Sequence, residues 1–236
     1  MGLLTLYSGL LLPWIGGAFW LVFADSRFSR NGAVSRFRQV GYGFFLGYAV
    51  LFIAVIFSNK LTGVVSWPLL MVFLLLFAIT GAIAAWIGSS TSGRTSLTAE
   101  ATPSMPVKAM LAIAVVLTAV HLVFIVVEIF TQPVYPWDAW LGWIYRAKAW
   151  FMAGNMVGVV DKAAWTSATT PDIYTIDAWS YPRFASVVPL WAALSLGQWS
   201  ETLINLPVLF AGLAIGMAIY GQSREHGLSA FASLVI

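Results

Sequence analysis

The stretch that decides the fold is AMLAIAVVLTAVHLVFIVVEIF, residues 109–130. It contains one acid, Glu128, one histidine, His121, and no lysine or arginine. A helix of about 20 predominantly apolar residues crosses the hydrocarbon core of a bilayer. The stretch therefore predicts a transmembrane helix, and the rest of the chain can be organised around it.

The composition of the whole chain agrees with this prediction. Of 236 residues, 60% are hydrophobic and 9% are charged, and the mean hydropathy is +0.87. Soluble domains carry about 25% charged residues, so we identify an integral membrane protein whose first partner is the lipid bilayer. The net charge of +3 gives no indication of nucleic-acid binding. Because the chain has no cysteine, disulfides and thiolate chemistry are excluded.

Further spans follow from the same length criterion. Together with 109–130, the predicted transmembrane segments are 3–24, 40–58, 67–88 and 202–221. No basic n-region precedes Leu3, so we expect the first span to be retained. The fold class is all-α and polytopic, with five spans and a partial sixth, because another apolar segment begins at 228–236. We expect the chain to be part of something longer.

Basic residues predict the orientation of the spans. Seven of them fall in the connections 25–39 and 89–108 or after the last span, namely Arg27, Arg30, Arg36, Arg38, Arg94, Lys108 and Arg224. Only Lys60 lies in the short connection on the other side. The positive-inside rule then places the N-terminus outside the cell and makes 131–201 a large outer loop.

This topology divides the chain into three parts. Residues 1–88 form a three-helix preamble, 89–108 a cytoplasmic linker rich in Ser and Thr, and 109–236 a portion that carries the outer loop. Within that loop, the apolar run 184–196 is too short to cross and is interrupted by Pro189. We expect this run to lie at the membrane surface.

The outer loop opens with PVYPWDAWLGWIYRAKAWF, residues 133–151. A helical projection at about 100° per residue places an aromatic face opposite Asp138, with Arg146 and Lys148 on the flanks. That face contains Trp137, Trp140, Trp143, Ile144, Ala147, Trp150 and Phe151. The pattern predicts an amphipathic helix lying in the membrane interface.

Two interpretations of the charged residues in this helix remain open. Asp138 can stabilise the helix N-terminus, or it can be a carboxylate that takes a proton from an attacking hydroxyl or holds a metal. Arg146 and Lys148 can face a substrate phosphate, or they can pair with lipid headgroups.

The other ionisable residues have structural interpretations as well. His121 and Glu128 share one helical face. His121 is interpreted as hydrogen-bonded between helices, with a proton relay or an axial ligand as alternatives, and Glu128 as snorkelling or facing a cavity. Asp161 and Asp172 are interpreted as solvated loop acids, and Asp177 as a candidate second acid.

Three segments resemble one family in the right order. PWDAWLGWIYRAKAWF (136–151) resembles the W-D-A-W…K-A-K/R-A-x-F pattern of bacterial membrane glycosyltransferases of the GT-C superfamily. SYPRFASVVPLWAALSLG (180–197) resembles their segment with a Tyr-Pro pair. LPVLFAGLAIGMAIYGQSRE (206–225) resembles their next, inward-running helix. The resemblance covers about residues 109–236, the N-terminal part of such an enzyme.

The resemblance implies transfer of a sugar from a polyprenyl-phosphate donor at the outer face of the bacterial inner membrane. Asp138 would be the base or metal-associated acid, and Asp177 is the candidate for a second acid. The implied substrate-binding residues are Arg146, Lys148, Tyr181 and Arg183. The family's acid before Tyr-Pro is replaced by Ser180. No cofactor is certain, and a divalent metal is one alternative.

A second hypothesis comes from a different functional class. The chain can be a non-catalytic accessory or scaffold subunit, derived from such a fold and packed against other membrane subunits. The order of the motifs favours the enzyme, whereas the short C-terminal portion favours the subunit. A transporter is third, because no pair of broken helices is visible in two halves.

Overall fold

The computed structural model describes residues 2–28, 35–91, 104–133, 139, 141–170, 173–177 and 179–235. Five long helices dominate them: α1 (Leu3–Phe28), α2 (Arg36–Thr62), α3 (Trp67–Thr91), α4 (Met105–Thr131) and, later in the chain, α8 (Leu206–Glu225). All five are long and apolar enough to cross a membrane. The predicted fold class, all-α with five spans, is confirmed.

Shorter elements occupy the connection between α4 and α8. In chain order they are α5 (Trp143–Ala153), β1 (Gly158–Val160), α6 (Lys162–Thr166), β2 (Ile173–Thr175), α7 (Arg183–Leu196) and a 3-10 turn (Leu203–Asn205). The helix α9 (Ala230–Val235) follows α8. The strands pair in parallel, with Val159 opposite Tyr174. This small sheet was not predicted.

The chain forms two compact units. The first contains Met1–Leu11, Ala49–Leu74 and Ile129–Pro207. The second contains Leu12–Tyr48, Leu75–Glu128 and Val208–Ile236. The first unit thus groups the start of α1, the end of α2, the start of α3 and the end of α4. This grouping agrees with the predicted alternation of helix direction, while the side of the membrane remains a prediction from the charge bias.

The helix α7 is the most buried part of the first unit. Nine of its 14 residues are buried. Trp191 donates from Nε1 to the Gly9 carbonyl over 2.9 Å, and Trp67 donates from Nε1 to the Ser195 hydroxyl over 3.3 Å. The helix is too short to cross, as predicted. That the helix lies at the membrane surface stays a prediction, and its burial shows that it also belongs to the core of the unit.

Hydrogen bonds from main-chain amides attach the connection between α4 and α8 to the end of α2 and to the turn that follows α2. The Val65 amide donates to the Gly154 carbonyl over 2.8 Å, and the Met156 amide donates to Asn59 Oδ1 over 2.8 Å. Gly154 ends α5 in the left-handed conformation, with φ of 69°, which glycine adopts without a Cβ penalty. The turn after α5 is therefore held at both sides.

Glycine permits close helix packing in the second unit. A Cβ on Gly17 would collide with the Gly43 carbonyl, so α1 and α2 touch backbone to backbone there. Likewise, a Cβ on Gly41 would meet the backbone of Ala214 and Ala218 in α8. Small residues allow this approach in membrane helices, where dispersion is a main attractive force. These glycines therefore serve helix packing.

An ionic cluster joins three helices of the second unit. Arg38 of α2 contacts Asp25 of α1 at 2.6 Å and Glu225 of α8 at 2.9 Å. The Ser35 amide and the Gln39 amide group donate to the same two carboxylates. All three charged side chains are about four-fifths buried, so the cluster satisfies charges that would be costly if unpaired.

Candidate functional site

The first unit contains an open cavity of about 310 Å³ in the connection between α4 and α8. Its walls come from the end of α5, the strand β1, the segment before α7 and the first residue of α7. The lining residues are Arg146, Trp150, Met156, Val157, Gly158, Val159, Trp179, Ser180, Tyr181 and Arg183. The volume lies at the low end for small-molecule sites.

Arg146 forms the inner wall of the cavity. It lies on the buried face of α5 together with Ile144, Ala147 and Trp150, and 2% of it is exposed. Burial of these three apolar residues agrees with the predicted face. Arg146 was expected on the flank, and this expectation was wrong. The reason is that its guanidinium finds acceptors inside the unit.

Those acceptors are main-chain carbonyls. Arg146 donates from Nη1 to the Tyr181 carbonyl over 2.7 Å and from Nη2 to the Trp179 carbonyl over 2.6 Å. The guanidinium thereby fixes the segment that leads into α7. Burial lowers the pKa of Arg146, and the nearby charge of Arg183 lowers it further. An arginine stays protonated at physiological pH even so, and the side chain brings a positive charge to the cavity.

Arg183 supplies the second positive charge. It is the first residue of α7 and is exposed. Within the described residues, no hydrogen bond or ion pair engages its guanidinium. Among the described residues, the lining includes no carboxylate. Two neighbouring cations would attract an anion into the cavity.

The opposite wall is held by α5 and β1. Trp150 donates from Nε1 to the Val157 carbonyl over 3.0 Å, and β1 continues from there into its pairing with β2. The indole therefore fixes the distance between the helix and the strand. The wall is apolar apart from its backbone, so it would shield the charged end of a ligand from water.

Aromatic side chains surround the opening. Trp179 and Tyr181, which line the cavity, are each 46% exposed and form its aromatic rim. Half-exposed Trp and Tyr are typical of membrane interfaces, where one part of the ring is apolar and the other meets water.

Three of the four predicted substrate-binding residues meet in this cavity: Arg146, Tyr181 and Arg183. Lys148 does not. It forms an ion pair with Glu201 at 2.6 Å, and its ammonium lies 5.7 Å from the centre of the Trp199 ring. On a helix, side chains two positions apart in sequence point about 200° away from each other. Because Arg146 points into the unit, Lys148 points away from the cavity. Lys148 therefore lies outside the cavity that Arg146, Tyr181 and Arg183 share, and its contact with a substrate phosphate stays a prediction.

The predicted acids are not brought together by the described residues. Asp138 lies outside them. Asp177 is exposed and does not line the cavity. Asp161 accepts a hydrogen bond from the Ala164 amide and caps α6. No group of three His, Asp or Glu side chains in the described part of the chain could hold a metal ion.

His121 and Glu128 belong to the second unit and are absent from the described lining of the cavity. Both are exposed on α4. The interpretation of His121 as hydrogen-bonded between helices finds no support within the described residues, which provide no partner for it.

Sequence reasoning missed the apolar wall. The wall residues Val157, Gly158 and Val159 fall within the predicted outer loop. The segments VGVV (157–160) and IYT (173–175) are nevertheless rich in residues that favour strands. Three-residue strands are too short for alternation to be visible. No sequence pattern indicated that Glu201 would pair with Lys148.

Comparisons of the chain with protein-family models, curated proteins and solved structures find no match.

Proposed function

We propose that the protein binds the phosphate of a polyprenyl-linked sugar in the Arg146–Arg183 cavity and acts as a GT-C-like glycosyltransferase. The proposed location is the outer face of the bacterial inner membrane. The observation that carries the proposal is the pair of guanidinium groups on the walls of one cavity with an aromatic rim. The resemblance of the flanking motifs supports the same substrate class.

The two arginines have different tasks in this proposal. Arg183 contacts the phosphate directly, because its guanidinium is exposed at the cavity and presents a planar set of donors. Arg146 has both terminal nitrogens bonded to carbonyls. It contributes its charge and fixes the segment that contains Tyr181.

The reaction follows from the chemistry of such a donor. An acceptor hydroxyl attacks the anomeric carbon, a new C–O bond forms, and the bond from that carbon to the phosphate oxygen breaks. Polyprenyl phosphate leaves with the bonding electrons. The hydroxyl proton passes to Asp138, and the arginines stabilise the charge that develops on the phosphate.

Binding tests the proposal without an acceptor. The protein in lipid nanodiscs is titrated with a short-chain polyprenyl phosphate and, separately, with the neutral polyprenol of the same length. We expect the phosphate to bind at least about tenfold more tightly, as a charge-assisted contact of roughly 1.5–3 kcal/mol requires. Equal binding of the two lipids would contradict the proposal.

A matched pair of variants locates the binding. Arg183→Gln removes the exposed charge at the cavity, whereas Lys162→Gln removes an exposed charge from α6 in the same outer connection. Only Arg183→Gln should reduce the preference for the phosphate. Equal effects of the two variants would mean that net charge, and not the cavity, attracts the lipid.

A second candidate function is that of an accessory subunit in a larger membrane assembly. One observation favours it specifically. The most apolar window of α4 is 0% buried, although its mean hydropathy is 2.9. If purification from native membranes yields fixed co-purifying subunits and no polyprenyl-phosphate binding, this second function replaces the first.

A further inference from the structure

The helix α4 carries a polar stripe on an unpacked surface. Three side chains of residues 109–130 can form hydrogen bonds: Thr118, His121 and Glu128. At 100° per residue they fall within about 80° of one another. The opposite face is entirely apolar and includes Val116 and Val123. The polar residues therefore form one coherent face.

This face has almost no cover among the described residues. Among the described residues of α4, only Ile129 is buried. The side chains of Thr118, His121 and Glu128 are all exposed. Thr118 turns its hydroxyl back to the Ala114 carbonyl over 2.9 Å. His121 and Glu128 have no such local acceptor or donor in the described residues. Ionisable groups in a membrane span generally face a partner or a cavity, because lipid cannot solvate them.

We propose that the Thr118–His121–Glu128 face binds a transmembrane helix of a different polypeptide, one that presents a basic or N–H donor side chain at the level of Glu128. Charge complementarity identifies this occupant. Within the described residues no ion pair engages Glu128, and the last turn of α4 carries no basic residue, so a basic side chain on the occupant would complement its carboxylate. Hydrogen bonds between membrane helices act together with close packing.

A second copy of this chain fits the face less well. Two copies insert in the same orientation, so a symmetric contact through this stripe would place Glu128 against Glu128 and His121 against His121. Like charges across an interface oppose association. The inference does not depend on the sugar donor, since an enzyme and an accessory subunit could both use this face.

Site-specific photocrosslinking in native membranes tests the proposal. A photoreactive amino acid replaces Leu117 or Phe124, which border the polar stripe, or the neighbouring Val116 or Val123 on the apolar face. The members of each pair are similarly exposed, at 64% against 59% and 68% against 60%. We expect adducts with a second protein from Leu117 and Phe124 only, and the crosslinked peptide should come from an apolar segment with a Lys, Arg or other N–H donor.

Variants of Glu128 connect the adduct to charge. Glu128→Leu makes the span more apolar and so preserves insertion, yet it should lower the adduct yield about 3- to 30-fold, the range expected for an interhelical polar contact. Glu128→Lys should lower it further, because it opposes a basic partner.

Several outcomes would overturn the proposal. An adduct of two copies of this chain would assign the face to self-association. Adducts from both faces in equal yield, or with lipid alone, would show that the stripe has no protein partner. An unchanged yield in Glu128→Leu would remove the charge argument. Binding of polyprenyl phosphate, measured separately, would be unaffected by any of these results.

Discussion

Arg146 donates a hydrogen bond of 2.7 Å from Nη1 to the main-chain carbonyl of Tyr181, 35 residues further along the chain. The bond connects the core of α5 to the turn that precedes α7. It therefore makes a buried charge responsible for the shape of the cavity. Arg146, which was expected to contact substrate, therefore also has a structural role.

Replacing Arg146 with Met should lower the free energy of unfolding by about 2–4 kcal/mol, because two part-buried hydrogen bonds to main-chain carbonyls lose their charged donor. Thermal unfolding in detergent measures this. Lys148→Met is the control, since it removes the same charge from the same helix at an exposed ion pair worth at most about 1 kcal/mol. Equal losses of unfolding free energy in the two variants would show that the hydrogen bonds to the carbonyls add no stability beyond that of an exposed ion pair.

Lys148→Ala should leave the affinity for polyprenyl phosphate within about threefold of the wild type. Its ammonium pairs with Glu201 and does not line the cavity. Arg183→Ala should weaken the same affinity at least about tenfold. A titration of both variants in nanodiscs ranks them, and the reverse order would mean that the phosphate binds beside Glu201.

Asp138→Asn should reduce sugar transfer about 10²- to 10⁴-fold while the protein still folds, because the amide keeps the shape but cannot accept the proton. A transferase assay with a polyprenyl-phosphate donor measures the rate. Asp161→Asn is the control: Asp161 caps α6, and asparagine caps almost as well as aspartate. A wild-type rate in Asp138→Asn would remove this residue from catalysis.

Gly17→Ala should destabilise the protein by about 1–3 kcal/mol, because its Cβ collides with the backbone of α2. Gly216→Ala in α8 has open space around the new methyl group, and alanine has the higher helix propensity. The second variant should be neutral or slightly stabilising. The free energies of unfolding of the two variants are compared with that of the wild type. Equal stability of the two variants would contradict the close approach of α1 and α2.

Membrane topology can be measured with single cysteines, since the chain has none of its own. Ser167→Cys should react with an impermeant reagent added from outside, and Ser26→Cys and Ser96→Cys should react only from the cytoplasmic side. Reaction of Ser167→Cys from the cytoplasm alone would invert the orientation.

The long helices could be predicted because apolar length alone specifies a span. The predicted span 40–58 corresponds to α2, which runs from Arg36 to Thr62. The extra turns at its ends are polar, and hydropathy gives no signal for them. The pairing of Arg38 with Asp25 and Glu225 depends on contacts between distant segments, which a helical projection cannot supply.

The cavity was only partly predictable, for a related reason. Periodicity placed Ile144, Ala147 and Trp150 on the buried face correctly. It could not show that Arg146 would join them, because the acceptors that make burial tolerable lie at Trp179 and Tyr181. A buried charge is specified by its partner, and the partner here is a pair of carbonyls without any side-chain signature.

The hydrogen bonds from Val65 to Gly154, from Met156 to Asn59 and from Trp191 to Gly9 have a practical consequence. They join the connection between α4 and α8 to α1, to α2 and to the turn between α2 and α3. The connection therefore cannot be excised and expressed as a soluble fragment with its cavity intact, since half of its anchoring donors and acceptors would be left behind. Chimeras that exchange this region between proteins must carry the ends of α1, α2 and α3 with it.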